Sequence, residues 1–223
     1  MMIDRVTDIR RKMMVKRVEK DYVTDKSGVK MIEIIGATFI ADEDWIIRKP
    51  NQDYVKRELD WYCNQSLNVN DIPGDTPQIW LDVSDKNGFI NSNYGYLIFS
   101  EDNHKQYKHA LAELKQNPES RRATMIYQRP TMHSDYKVDG MSDFICTYAN
   151  QMFIRDGKLV SHYIMRSNDA VFGYCNDFHW AKFVQEMMAY DLNVPCGDLI
   201  WTASSFHIYE RHFKFLDKMI NHG

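Results

Sequence analysis

Residues 143–173 read DFICTYANQMFIRDGKLVSHYIMRSNDAVFG, and the architecture turns on how this run is parsed. Asp156-Gly157 is a hairpin signal, because such turns need positive φ, which Gly adopts freely and Asp tolerates. The flanking runs, 143–155 and 159–165, carry β-branched and aromatic residues and predict the two arms of an antiparallel hairpin. Working outward, MIEIIGATFIA at 31–41 predicts a long strand entered from the Asp25-Lys26-Ser27-Gly28 turn. Strands are also expected at 123–128 and 199–209. Helical spacing appears over 53–65 (Val55, Leu59, Tyr62, with Glu58 on the flank), 104–116 (Tyr107, Ala110, Leu111, Leu114) and 176–190 (Phe178, Ala181, Val184, Met188). A terminal helix carries Phe213, Leu216 and Ile220. Helices and antiparallel strands intermix without βαβ regularity, which predicts an α+β fold with a mixed or antiparallel sheet covered by helices. No repeat or Pro/Gly-rich linker divides the chain, so one domain over 1–223 is expected.

The 223 residues hold 28 Lys+Arg against 31 Asp+Glu, a net charge of −3. No apolar run approaches the ~20 residues that span a bilayer, and the first twelve residues are too charged for a signal peptide. A soluble, cytoplasmic protein is expected, with no membrane partner. Without a dense basic block, direct DNA binding is not expected, since non-specific duplex affinity depends on neutralising phosphates. Cys63, Cys146, Cys175 and Cys196 lack zinc-site spacing, and H-x-E with P-C-x-x-C, GxGxxG and a Walker loop are all missing. No metal is expected, and the thiols read as free, each either buried filler or a nucleophile.

Cys146, Thr147, Asn150 and Gln151 make 143–155 polar on both faces for a core strand, so a polar ligand is expected there. A lone strand cysteine is ordinarily structural; a cationic neighbour would lower its pKa and make it a nucleophile. Arg121-Arg122 and Arg166-Ser167 are the candidates for that field, and arginine pairs also grip phosphate. The competing reading of paired arginines is surface ion pairing.

These residues, in this order, resemble the thymidylate synthase superfamily: Ser120-Arg121-Arg122, Cys146 with Gln151, Arg166-Ser167-Asn168-Asp169 with Gly173, and Phe206-His207-Ile208-Tyr209. Glu58 in ELDW, Ile79-Trp80 and Asn93-Tyr94-Gly95 extend the likeness to about residues 20–215. Within the superfamily, IEIIGATF, RELDWY and MRSND-x-VFG are most similar to the phage deoxycytidylate hydroxymethylases. Two departures from thymidylate synthases matter: Ile145-Cys146-Thr147 replaces Pro-Cys-His, and Asp177 stands where the uracil enzymes read the base with asparagine. A carboxylate accepts from cytosine N4 and favours a proton on N3, so Asp177 reads as a cytosine selector. Taken alone, Asn176-Asp177 would read as a helix N-cap.

The resemblance implies a homodimer packed through its sheets, with Cys146 as nucleophile on C6 of dCMP and 5,10-methylenetetrahydrofolate as one-carbon co-substrate. It implies that Glu58 moves protons and orients water. It also implies that Arg166 and Ser167 hold the phosphate with Arg121 and Arg122 from the other subunit, and that Lys26 adds a phosphate contact. Gln151, His207 and Tyr209 are expected on the nucleotide, and Trp80, Asp169, Tyr94 and Gly173 on the folate. Thymidylate synthases carry a longer C-terminal extension that closes over the ligands; its absence here favours water over hydride and a hydroxymethyl product. A dCMP methylase is the alternative enzyme. A Cys/His hydrolase using His133, His162 or His207 and a non-catalytic RNA-binding or scaffold dimer are the rivals from other classes. Membership of a nucleotide-synthesis complex goes with the likeness.

Overall fold

The computed structural model describes residues 3–25 and 28–222. Its chain order is β1 (Asp4–Arg5), α1 (Val6–Glu19), β2 (Val23–Thr24), β3 (Lys30–Ile40), α2 (Gln52–Cys63), α3 (Gln78–Val83), α4 (Tyr94–Phe99) and α5 (Gln106–Gln116). There follow β4 (Thr124–Ile126), α6 (Met132–Asp135), β5 (Thr147–Arg155), β6 (Lys158–Asp169), α7 (Gly173–Leu192), β7 (Cys196–Tyr209) and α8 (Phe213–His222). The sheet runs β1-β3-β7-β6-β5-β4, with β2 on β3. β3–β7, β6–β5 and β5–β4 are antiparallel, whereas β6–β7 is parallel. β1–β3 is parallel as well, and parallel pairs need crossovers, which α1 and α7 provide, so the sheet contains two βαβ-type connections that the pattern of the sequence does not announce.

One face of the sheet is dry. Ile32 and Phe39 of β3, Trp201, Ala203 and Phe206 of β7, Tyr163 and Met165 of β6 and Met152 of β5 are buried beneath the helices. Tyr163 stacks on Trp201 at 4.8 Å, and Tyr174 of α7 meets the same indole edge-on at 5.1 Å. The alternating residues Phe153, Val160, Ile164 and Ile200 are only half-buried, and Ile35 is 74% exposed. On the covered side α2 and α4 approach backbone to backbone: a Cβ at Gly95 would lie 1.7 Å from the Tyr62 carbonyl oxygen, so only glycine fits.

The expected hairpin is present, but its first arm begins at Thr147 rather than 143. Asp143 is drawn out of the strand because its buried carboxylate accepts from the Asn91 and Ser92 amides (2.7 and 2.8 Å) and from Ser92 Oγ (2.7 Å). Most of the polar side chains of that strand find partners within the sheet, although Asn150 Nδ2 has none. Thr147 Oγ1 lies 3.1 Å from the Tyr163 hydroxyl, Ser161 Oγ donates to Asn150 Oδ1 at 2.7 Å, and Gln151 Nε2 donates to the Arg121 carbonyl at 2.8 Å.

Candidate active site

Asp143 fixes one side of the turn that carries Cys146, and Arg166 at the end of β6 fixes the other. Its Nε donates to the Ile145 carbonyl at 3.0 Å and Nη2 to the Phe144 carbonyl at 2.7 Å, with Nη2 3.5 Å from Cys146 Sγ. The guanidinium also lies over the Phe144 ring at 4.7 Å. A cation therefore does touch the thiol, yet the expected lowering of its pKa is reversed. Burial pushes Cys146 up to about 11, Arg166 opposes this, and Asp177 and Asp143 add to the rise. Desolvation outweighs one guanidinium when two carboxylates stand nearby.

The carboxylates are the second half of the site. Glu58 faces inward from α2 and is 5% exposed, not solvated on a flank. The Tyr54 hydroxyl donates to it, and Trp80 Nε1 of α3 donates to the Tyr54 oxygen at 2.8 Å and reaches Glu58 at 3.4 Å. Burial pushes Glu58 up to about 7 against the pull of those two donors, which places its proton where an acid–base group at neutral pH needs it. Asp177 is not a helix cap: α7 begins at Gly173, so Asp177 lies inside its first turns. Its Oδ2 accepts from Asn168 Nδ2 at 2.8 Å. Burial raises its pKa well above the ordinary carboxylate range, and the charges of Glu58 and Asp169 raise it further, with Asn168 pulling the other way. Gly173 permits this packing, since a Cβ there would sit 3.2 Å from Asn168 Nδ2 and 3.7 Å from Asp177 Oδ2.

Around this centre, Asp169 faces His207 in the β6–β7 register, and the His207 and Tyr209 rings meet at 4.8 Å. Ser167 pairs with Ser205 on the same two strands. The Asp169 carboxylate accepts from the Val171 and Phe172 amides at 3.2 and 2.9 Å, turning the chain into α7. A cavity of about 630 Å³ opens beside Arg166 and Phe144, lined also by Gln128, His133, Tyr136 and Tyr148. The fold thus gathers Glu58, Trp80, Cys146, Arg166, Ser167, Asp169, Gly173, Asp177, His207 and Tyr209 from separate parts of the chain. Tyr94, 4% exposed, is packed between Tyr62 and Tyr127. Arg121 and Arg122 are exposed at the approach to β4, and Gln151 is bonded to Arg121, away from Cys146. Lys26 lies outside the described residues. Sequence reasoning left Tyr54, Asp143 and Asn168 without roles; the spacing Tyr54–Glu58, one helical turn, and the place of Asn168 within Arg166-Ser167-Asn168-Asp169 are signals that pointed toward them.

A thiol beneath an arginine, flanked by two carboxyls that resist ionisation, can add to an electron-poor ring and exchange protons with it. The thymidylate synthase family model matches residues 14–222. The chain is similar to the deoxycytidylate 5-hydroxymethyltransferase of Enterobacteria phage T2, 51% identical across 98% of this chain and 92% of that one. The protein of the same description from Enterobacteria phage T4 is 52% identical, over 95% and 89% of the two chains. Among solved structures, the thermostable thymidylate synthase A of Bacillus subtilis shares the fold, with a TM-score of 0.72 at 22% identity, over 95% of this chain and 84% of the other. With a family match across nearly its whole length, a shared fold and relatives at half identity, this chain belongs to the thymidylate synthase family.

Proposed function

We propose that the protein catalyses 5-hydroxymethylation of deoxycytidylate, converting dCMP, 5,10-methylenetetrahydrofolate and water to 5-hydroxymethyl-dCMP and tetrahydrofolate. The observation that carries this reading is Asp177, a carboxyl that resists ionisation, set beside a thiol and an acid–base carboxyl in a chain half identical to deoxycytidylate 5-hydroxymethyltransferases. A neutral carboxyl offers an O–H to cytosine N3 and a carbonyl to N4–H, and protonating N3 draws electrons from C6. Cys146 Sγ then bonds to C6 as its proton leaves, and C5 becomes the nucleophile. 5,10-Methylenetetrahydrofolate, when bound, supplies the carbon that C5 captures. The half-buried Trp80 ring, whose N–H is already committed to Tyr54, leaves an aromatic face for the pterin, with Asp169 as an acceptor beside it. The C5 proton departs as the bond from the captured carbon to the folate nitrogen breaks and tetrahydrofolate leaves, giving an exocyclic methylene; water oriented by Glu58 adds to that carbon, and expulsion of Cys146 restores the ring.

The phosphate falls to Arg166, whose Nη1 makes no hydrogen bond among the described residues, and to Ser167. The deoxyribose falls to His207 and Tyr209. Arg121 and Arg122 serve a partner copy. Their exposure, together with the half-exposed apolar side chains on the sheet face that no described helix covers, supports a homodimer formed through that face. Tritium release from [5-³H]dCMP tests the reaction: release should require the folate and vanish in Cys146→Ser. The product should be heavier than dCMP by CH₂O. A gain of CH₂ with dihydrofolate formed would instead make the enzyme a methylase, and release unaffected by Cys146→Ser would remove the nucleophile.

A further inference from the structure

The two oxygens of Asp177 have unequal surroundings. Oδ2 accepts from Asn168 Nδ2 at 2.8 Å, and Oδ1 makes no hydrogen bond among the described residues. Asn168 is itself 3% exposed and its Oδ1 has no partner, while its Nδ2 lies beside Gly173, 3.2 Å from where a Cβ would stand. The buried Oδ1 is thus left unmet, at a cost, while the Nδ2 is committed to Asp177.

A neutral carboxyl is ambiguous in a way that matters here. With the proton on one oxygen it matches cytosine, giving O–H to N3 and accepting from N4–H. With the proton on the other it matches uracil, accepting from N3–H and giving O–H to O4. An amide N–H held on Oδ2 favours that oxygen as the acceptor and leaves the proton to Oδ1. We infer that Asn168 is a positioning residue that fixes the donor–acceptor polarity of Asp177 and so makes the site read cytosine rather than uracil. The inference rests on the hydroxymethylation reading above and adds to it the residue through which the base-reading carboxyl is set.

The charges facing Asp177 do not supply this asymmetry. Glu58 from α2 and Asp169 from β6 oppose its ionisation, and the phenols of Tyr62, Tyr94 and Tyr163 and the thiols of Cys146 and Cys175 are neutral. Only Asn168 donates to it.

The experiment measures kcat/KM for dCMP and dUMP in wild type, Asn168→Ala and Asn168→Ser, each across pH. Loss of one such bond should lower the dCMP/dUMP ratio by about 10-fold or more, with dUMP turnover rising in absolute terms. The pH limb that Asp177→Asn abolishes should move to higher pH, because the donor that favours the ionised form is gone. Asn168→Ser, whose hydroxyl is too short to span the same gap, reads the same quantities should the alanine variant fail to fold. A merely structural role would depress both nucleotides equally and leave the limb in place; that result overturns the inference alone. Wild-type enzyme with no preference for dCMP overturns the hydroxymethylation reading, and the inference with it.

Discussion

The two faces of the sheet carry polar groups on different terms. On the helix-covered face, midway along the strands, Ser161 Oγ donates to Asn150 Oδ1, whose Nδ2 is left unpaired, and Thr147 meets the Tyr163 hydroxyl. At the strand ends of the same face, Glu58 and Asp177 are buried near each other, Glu58 opposing the ionisation of Asp177, and an Asn168 carbonyl is left unpaired. The open face is different again. His162 Nε2 lies 2.9 Å from Thr202 Oγ1, which lies 3.1 Å from Thr38 Oγ1, and between these hydroxyls stand half-exposed isoleucines and a phenylalanine. Polarity in a core strand is thus no sign of chemistry; ionisable groups buried in mutual conflict are. An apolar surface with no helix against it belongs to association.

Three substitutions break or sharpen that contrast. The largest effect belongs to the open face. Ile164→Asp puts a charge between Ala149 and Thr202, the residues flanking it in the sheet register, and should split the dimer. Sedimentation should then give a single-chain mass with unchanged far-ultraviolet circular dichroism, and activity should fall to background. A dimer that persists at full activity would refute the proposed interface.

Glu58→Gln comes next. If Glu58 is the acid–base group proposed above, its loss should cost about 10²–10⁴ in kcat while stability rises. Because burial moves Glu58 from 4.5 to about 7, the unfolded chain ionises it first; the penalty on the native state sets in as pH climbs past 4.5 and is complete above 7. The variant should therefore gain about 3 kcal/mol at most by denaturant titration at pH 8 and nothing below pH 4. Equal stabilities at pH 8 would show that Glu58 is not strained as described. Smallest is Ser161→Ala, which leaves Asn150 with neither end bonded, since its Nδ2 already lacks a partner. It should cost about 1–3 kcal/mol in stability and leave the preference for dCMP unchanged; a changed preference would extend the site into the middle of the sheet.

Much of this was legible in the chain because it depends on local pattern. The Asp156-Gly157 hairpin, the 31–41 strand and the α2 and α5 stripes follow from turn chemistry and periodicity, and the structure bears them out within a few residues. Helix α1 was passed over because Val6, Ile9 and Met13, its buried residues, stand among charges that dilute the stripe. The early start of α7 depends on Asp169 bonding the next turn's amides, and the late start of β5 on Asp143 reaching a loop some fifty residues away. The site divides in the same way. Residue types in order pointed to Cys146, Glu58 and Asp177, but the direction of the Cys146 shift and the importance of Asn168 are properties of proximity in space. Nothing in the spacing of 168 and 177 states that an amide on a strand meets a carboxyl inside the following helix.

The bare α-carbon at Gly95 has a consequence for Glu58, the proposed acid–base group. Helix α2 rests against α4 with nothing between the main chains but hydrogen, and Glu58 lies one turn upstream of the Tyr62 carbonyl that makes the contact. A single methyl at 95 would act as a wedge, prising α2 away and carrying the carboxyl with it, so the reach of the proton carrier is gauged by the smallest side chain available.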